Sequence, residues 1–161
     1  MSDQAEKKPE TVTRSDPATG SDVTQDEKYV LDDQIGYLLR KAYQRNAVLF
    51  SEKVQDLTPT QFAVMARLTE LSSVSQNQLG RTVGLDVATT KGVIDRLLAR
   101  GLVQTAPSPS DRRRQLISLT EDGWQFFMQK AQRGLQVSED TLAPLTQSER
   151  RNLLRILRKI Q

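Results

Sequence analysis

Apolar residues recur along most of this chain at spacings of three and four, and residues suited to helix caps and turns separate the runs. Leu31, Ile35, Leu38, Ala42, Tyr43 and Leu49 form one such stripe, which predicts a helix through residues 29–50. Thr58-Pro59-Thr60-Gln61 is a compact helix start, with Thr58 as cap, Pro59 in the first turn and Gln61 reaching back to the cap. The helix it opens carries Phe62, Met65, Leu68 and Leu71. Thr120-Glu121-Asp122 opens another, with two carboxylates at the positive end of the helix dipole, and it runs through Trp124, Phe127, Met128, Ala131 and Leu135. Thr146 and Glu149 make a second capping box ahead of Leu153, Leu154, Leu157 and Ile160. Residues 1–28 show no such pattern. They are rich in Ser, Thr, Asp, Glu and Lys, contain Pro9 and Pro17, and are expected to form a disordered acidic tail.

The middle of the chain has a different grain. Residues 75–101 read as two short helices joined by a tight turn. Ser75 and Gln78 stand at capping-box spacing, Leu79 and Val83 form the apolar face, and Gly84 supplies a positive φ at the helix end. Leu85 is expected to be buried in the turn. Asp86 is placed to cap a second helix from Val87 to Arg100, with Thr90, Val93 and Leu97 facing inward. Directly afterwards, Leu102–Ala106 and Leu116–Leu119 read as strands. Between them lie Pro107-Ser108-Pro109-Ser110, which fit neither helix nor sheet interior, and then Asp111 and the triplet Arg112-Arg113-Arg114. A generic helical hairpin gives similar periodicity, and an arginine triplet alone reads equally as a solvated charge run. Together, a capped second helix and a cation-tipped hairpin favour a winged helix-turn-helix, one element for each DNA groove.

These residues also resemble a known family. The segment Gly84-Leu85-Asp86-Val87-Ala88-Thr89-Thr90-Lys91-Gly92-Val93-Ile94-Asp95-Arg96-Leu97, followed by Arg100-Gly101-Leu102-Val103, resembles the recognition-helix region of MarR-family transcription regulators. Asp111 and Arg113 followed by Leu119-Thr120 are similar to that family's wing signature. The resemblance spans roughly residues 30–160. It implies a mainly α fold with a small β-wing, working as a homodimeric repressor released from a palindromic operator by a small, often aromatic, ligand. Many members carry a polar or basic residue where this chain has Val87, and often an Arg where it has Gly92. The operator sequence therefore does not carry over.

The domain division follows. Residues 29–161 form a single domain, with 58–120 as the winged DNA-binding unit and 29–57 and 121–161 as dimerisation helices. The first and last helices carry more apolar surface than a winged unit of some 60 residues covers. A second copy is expected to cover it, although folding back onto the same domain is the alternative. A twofold dimer sets two recognition helices about one DNA turn apart, roughly 34 Å.

Charge sharpens this picture. The 161-residue chain has a net charge of +3, unevenly spread: residues 1–28 sum to −3 and the remainder to +6. A basic body suits a polyanionic partner such as double-stranded DNA. The absence of Cys and His removes thiolate and imidazole chemistry, so no metal, no cofactor and no enzymatic activity are expected. No apolar run approaches a membrane span and no secretory signal opens the chain, so a cytoplasmic location is expected.

Specific residues can be placed on this frame. Val87, Ala88, Thr89 and Lys91 occupy the exposed first turns of the recognition helix. The two small apolar side chains suit thymine methyl groups, and Lys91 suits guanine or a phosphate. Gln76, Asn77 and Gln78 are candidates for phosphate contacts. Arg113 matches the family's wing arginine and is the minor-groove candidate, with Arg112 and Arg114 turned to phosphates or solvent. Asp111 opposes DNA by charge, so its expected task is to organise the arginines or Arg96. An effector site, placed in the family between dimer helices and winged unit, draws on Tyr43, Phe62, Trp124 and Phe127, with Arg40 or Arg45 anchoring a carboxylate. Plain core packing competes for each of those aromatics. An aromatic carboxylate, a hydroxylated benzoate or nicotinate, is the expected ligand class, which would tie the protein to an aromatic-acid catabolic operon. An activator of the same fold, and a winged protein-interaction module, remain the competing functions.

Overall fold

The computed structural model describes residues 28–161. The expected disordered tail, Lys28 apart, lies outside the described residues. Asp32–Gln161 form one compact unit. Its helices are α1 (Ile35–Lys53), α2 (Pro59–Leu71), α3 (Gln76–Val83), α4 (Val87–Ala99), α5 (Glu121–Thr141) and α6 (Gln147–Leu157). Three short strands, β1 (Val74–Ser75), β2 (Val103–Pro107) and β3 (Gln115–Leu119), make an antiparallel sheet in the order β1-β3-β2. The mainly α winged helix-turn-helix expected from the sequence is the fold observed. No helix among the described residues is long and apolar enough to cross a membrane.

Local chemistry sets most of the boundaries. The Thr58 box closes reciprocally: the Gln61 N–H donates to Thr58 Oγ1 at 3.2 Å, and the Thr58 N–H to Gln61 Oε1 at 2.9 Å. The Thr146–Glu149 box does the same before α6. Thr120 caps α5 by accepting the Gly123 N–H at 2.9 Å. Gly84, with φ 68°, ends α3 in the left-handed conformation that a side chain disfavours.

Three boundaries differ from the sequence reading. The first α-helix begins at Ile35, because Leu31–Asp33 form a 3-10 turn instead. The last ends at Leu157, which leaves Ile160 beyond it. Ser75 makes no side-chain cap: it belongs to β1, paired with Leu116, and strand pairing rather than a capping box sets the start of α3. Pro107 does join a strand, at the end of the outer strand β2, where a missing N–H costs no ladder bond.

The core lies where α2, α3 and α4 meet the sheet. Val54, Val64, Met65, Leu68, Leu79 and Leu97 are all at most 1% exposed. Thr90, Val93 and Ile94 close it from α4, while Leu85 is only half-buried. Towards α1 and α5 the core continues through Phe50, Phe62 and Phe127, with centroids 5.6 Å apart for Phe50–Phe62 and 5.0 Å for Phe62–Phe127. By contrast, α6 buries no residue, and α1 leaves Ile35, Leu38, Leu39, Tyr43 and Val48 exposed.

Candidate nucleic-acid interface

The start of α4 is fixed by Asp86. Its Oδ1 accepts the Thr89 N–H at 2.8 Å and its Oδ2 the Thr89 hydroxyl at 2.6 Å. That hydroxyl, followed by the Thr89 backbone N–H, holds the Asp86 carboxyl below its ordinary pKa. One turn in, the buried Thr90 hydroxyl donates to the Asp86 carbonyl at 2.7 Å. A Cβ on Gly80 would lie 2.6 Å from Thr90 Oγ1, so only glycine lets α3 cross α4 this closely. The outcome is an exposed first turn on a rigid base. Val87 is 66% exposed, and Ala88 and Lys91 also face solvent. Lys91 pairs with Asp95 at 2.5 Å, both open to water, where such pairs are worth little and yield readily to another partner. Thr89 is exposed too, but its hydroxyl proton is committed to Asp86, which leaves that hydroxyl only as an acceptor.

The wing is an ordered turn. The ladder from Val103–Leu119 to Pro107–Gln115 is followed by one further bond, from the Ser108 N–H to the Arg114 carbonyl at 2.8 Å. Within the tip, the Arg114 N–H donates to the Asp111 carbonyl at 2.9 Å and the Arg113 N–H to Asp111 Oδ1 at 3.0 Å. Asp111 thus accepts the backbone N–H groups of Arg113, by its side chain, and of Arg114, by its carbonyl. The sequence reading also paired it with Arg96, but no ion pair joins them among the described residues. Arg96 lies on the exposed side of α4 with its guanidinium over Gly92. Arg112, Arg113 and Arg114 are all exposed.

Two hollows join these elements. One, of about 580 Å³, is lined by Ser75, Gln76, Asn77, Arg81, Arg113, Arg114 and Gln115. The other, of about 250 Å³, includes Gln76, Asn77, Arg81, Asp86 and Val87. Gln76, Asn77 and Arg81 belong to both, so one polar, cationic strip runs from the first turn of α4 to the wing. Gln78 is exposed but outside both linings. Arg81 was missed in the sequence reading. Its signal was present, since it follows Asn77 by one helical turn and shares its face.

Among the described residues the six effector candidates are divided between the core, a hollow beside Trp124, and α1. Phe62 and Phe127 belong to the aromatic core with Phe50. A Cβ on Gly134 of α5 would come 2.4 Å from the Phe62 ring, so that ring is clamped. Trp124, 48% exposed, lines a separate hollow with Leu68, Ser72, Leu119 and Thr120. On α1, Tyr43 is exposed, Arg40 lies over the Tyr37 ring, and Arg45 donates to the Asp140 carbonyl at 3.3 Å. Among the described residues no three acidic, His or Cys side chains gather to hold a metal.

Comparison with known proteins agrees with this geometry. Residues 57–114 match the model of the MarR family. The HTH-type transcriptional repressor NicR of Pseudomonas putida is 38% identical over 134 residues, covering 82% of this chain and 85% of NicR. Among solved structures, a probable transcriptional regulator from Pseudomonas aeruginosa superposes with a TM-score of 0.80 at 42% identity, over 82% of this chain and 100% of its own. BpsR of Bordetella bronchiseptica, whose DNA binding is regulated by 6-hydroxynicotinic acid, superposes with a TM-score of 0.79 at 34% identity, over 83% of this chain and 96% of its own. With its capped recognition helix, ordered wing and these likenesses along most of its length, the chain belongs to the MarR family of transcription regulators.

Proposed function

We propose that this protein is a homodimeric repressor that reads a palindromic operator and is released from it by an aromatic carboxylate. The strip from Val87 and Ala88 through Asn77 and Arg81 to Arg113 carries the reading. Apolar and cationic side chains stand at the first turn of α4, where base edges are read. Arginines stand on the wing, where a narrow, A·T-rich minor groove attracts them. Gln76, Asn77, Arg81, Arg112 and Arg114 lie between or beside these two elements and serve the phosphates.

Pairing is supported by unclaimed apolar surface. Leu38, Leu39, Tyr43 and Val48 on α1, Leu135 on α5, and Leu154 and Ile156 on α6 are each at least 40% exposed. Homodimer interfaces are enriched in such side chains. The ligand class rests on the likeness to BpsR, and the operon it points to is one for aromatic-acid breakdown. On α1, Arg40 and Tyr43, three residues apart, share one face and supply the cationic and aromatic groups such a ligand needs, while Arg45 lies round the helix towards Asp140 of α5.

One experiment tests the set. DNA selected by the protein from a random pool is titrated by fluorescence anisotropy, with and without 6-hydroxynicotinic acid or a hydroxybenzoate, and the free protein is weighed by light scattering. The expected result is a twofold-symmetric site, twice the chain mass, and release by one of the acids. A monomer, or binding without sequence preference, overturns the reading.

A further inference from the structure

The end of the recognition helix opposite its reading surface is bolted to the rest of the molecule by contacts that the DNA strip does not use. Arg100, the C-cap of α4, donates from its guanidinium to the Asp56 carbonyl at 2.6 Å, across 44 residues of sequence. Asp56 sits in the α1–α2 connection with φ 69°, a conformation that costs a side-chain-bearing residue energy and persists only when its surroundings hold it. Its carboxylate is held as well, by Lys130 of α5 at 3.2 Å, and the Lys130 side chain is 12% exposed. Both cations lie over the Phe126 ring of α5, with Arg100 at 5.2 Å and Lys130 at 4.8 Å from its centroid. The negative face of the ring and the Asp56 oxygens thus share two positive charges. Next to this cluster the chain leaves α4 under a second restraint. The Thr120 hydroxyl donates to the Gly101 carbonyl at 2.7 Å, and its N–H to the Leu102 carbonyl at 3.2 Å.

We infer that Arg100, together with Asp56, Phe126 and Lys130, is a positioning group for DNA recognition: it sets the angle at which α4 projects from α5 and the α1–α2 connection. The inference rests on the reading of α4 as the recognition helix. A helix held at its C-terminal end by a directional guanidinium bond and a ring contact presents its N-terminal turn in one orientation. Base-edge hydrogen bonds need that orientation, whereas phosphate attraction does not. Arg100 is some three turns of helix from Val87 and lines neither hollow of the DNA strip. Its charge is therefore expected to contribute little to binding directly.

The test compares the protein with Arg100→Ala and Phe126→Leu, the second keeping apolar bulk while removing the ring. Affinity for the sequence selected by the unchanged protein and for scrambled DNA is measured over a series of salt concentrations, with thermal melts as a folding control. A positioning role predicts that each variant lowers the ratio of specific to non-specific affinity by about tenfold, equivalent to one good base contact, with the salt slope unchanged. Equal loss on both DNAs with a slope smaller by about one would make Arg100 a phosphate contact and overturn the inference. An unchanged ratio in both variants would overturn it too. Failure of the unchanged protein to prefer any sequence would overturn the α4 reading itself, and the positioning role with it.

Discussion

Asp111 gives the sharpest test of whether the wing is an ordered reader or a loose cationic patch, because the two views disagree in sign. Its carboxylate accepts the Arg113 N–H at 3.0 Å at the tip of the hairpin. Asp111→Ala deletes that bond, and one such intramolecular bond is worth about 0.5–1.5 kcal/mol net. Here that energy goes into holding the tip in the shape the arginines need. Against it stands the repulsion between Asp111 and the DNA. At about 8 Å from a phosphate this amounts to roughly 0.5 kcal/mol in water, and the Debye length of about 8 Å at physiological salt cuts it to roughly 0.2 kcal/mol. The ordering contribution wins, so Asp111→Ala should bind the operator about fourfold more weakly, equivalent to about 0.8 kcal/mol. Asp111→Asn keeps an oxygen acceptor and removes the charge. It should bind as well as the unchanged protein or slightly better. Fluorescence anisotropy at physiological salt, with melts to confirm folding, compares the three proteins. If the Ala variant binds as tightly as the Asn variant, the hydrogen bond orders nothing that DNA uses.

Other consequences are equally direct. A Cβ on Gly123 would lie 1.8 Å from the Leu102 carbonyl oxygen, a backbone atom with nowhere to go, so Gly123→Ala should destabilise by more than about 3 kcal/mol in urea melts. Arg81→Ala should reduce the slope of log affinity against log salt by about one, whereas Lys91→Ala should shift base preference by about 1–3 kcal/mol; selection from a random pool and salt titration separate them. The Asp86 carboxyl is depressed by its Thr89 contacts, so its capping contribution is present above the ordinary carboxylate pKa and is lost as pH falls through the depressed value. The melting difference between the protein and Asp86→Ala should thus be constant near neutrality and shrink below about pH 4; a difference that persists unchanged into acid would mean the charge is not what caps α4.

What the sequence makes legible is whatever is decided within about four residues. The Thr58 and Thr146 boxes, the Asp86 cap and the left-handed Gly84 involve near neighbours, and each formed as its spacing implies. The wing was legible for a similar reason, since its turn lies between two short β-rich runs. Ser75 was misread because its partner, Leu116, is far along the chain, and a two-residue strand has no periodicity to betray it. Arg81 shares a helix face with Asn77, which the sequence shows, but its link to Arg113 and Arg114, which line the same hollow, is a fact of tertiary packing. The aromatic candidates were ambiguous for another reason. Phe62, Trp124 and Phe127 are all apolar-face residues, and spacing alone does not separate core rings such as Phe62 and Phe127 from the half-exposed Trp124.

The strand order carries a consequence for how the protein survives outside its DNA complex. With β3 central, β2 has one unpaired side among the described residues, and Gln104, Thr105 and Ala106 are exposed along it. An open strand edge is a template on which another chain can add, the first step towards aggregation. Two features keep this edge a poor template. It is only five residues long, and its last residue, Pro107, offers no N–H to an incoming strand. Beyond it the three arginines put like charges on any two wings brought side by side. The same residues that make the hairpin attractive to a polyanion thus make it repellent to its own kind, so solubility and DNA affinity are tied together here. Neutralising the wing to weaken DNA binding would also remove part of the protection of the sheet edge.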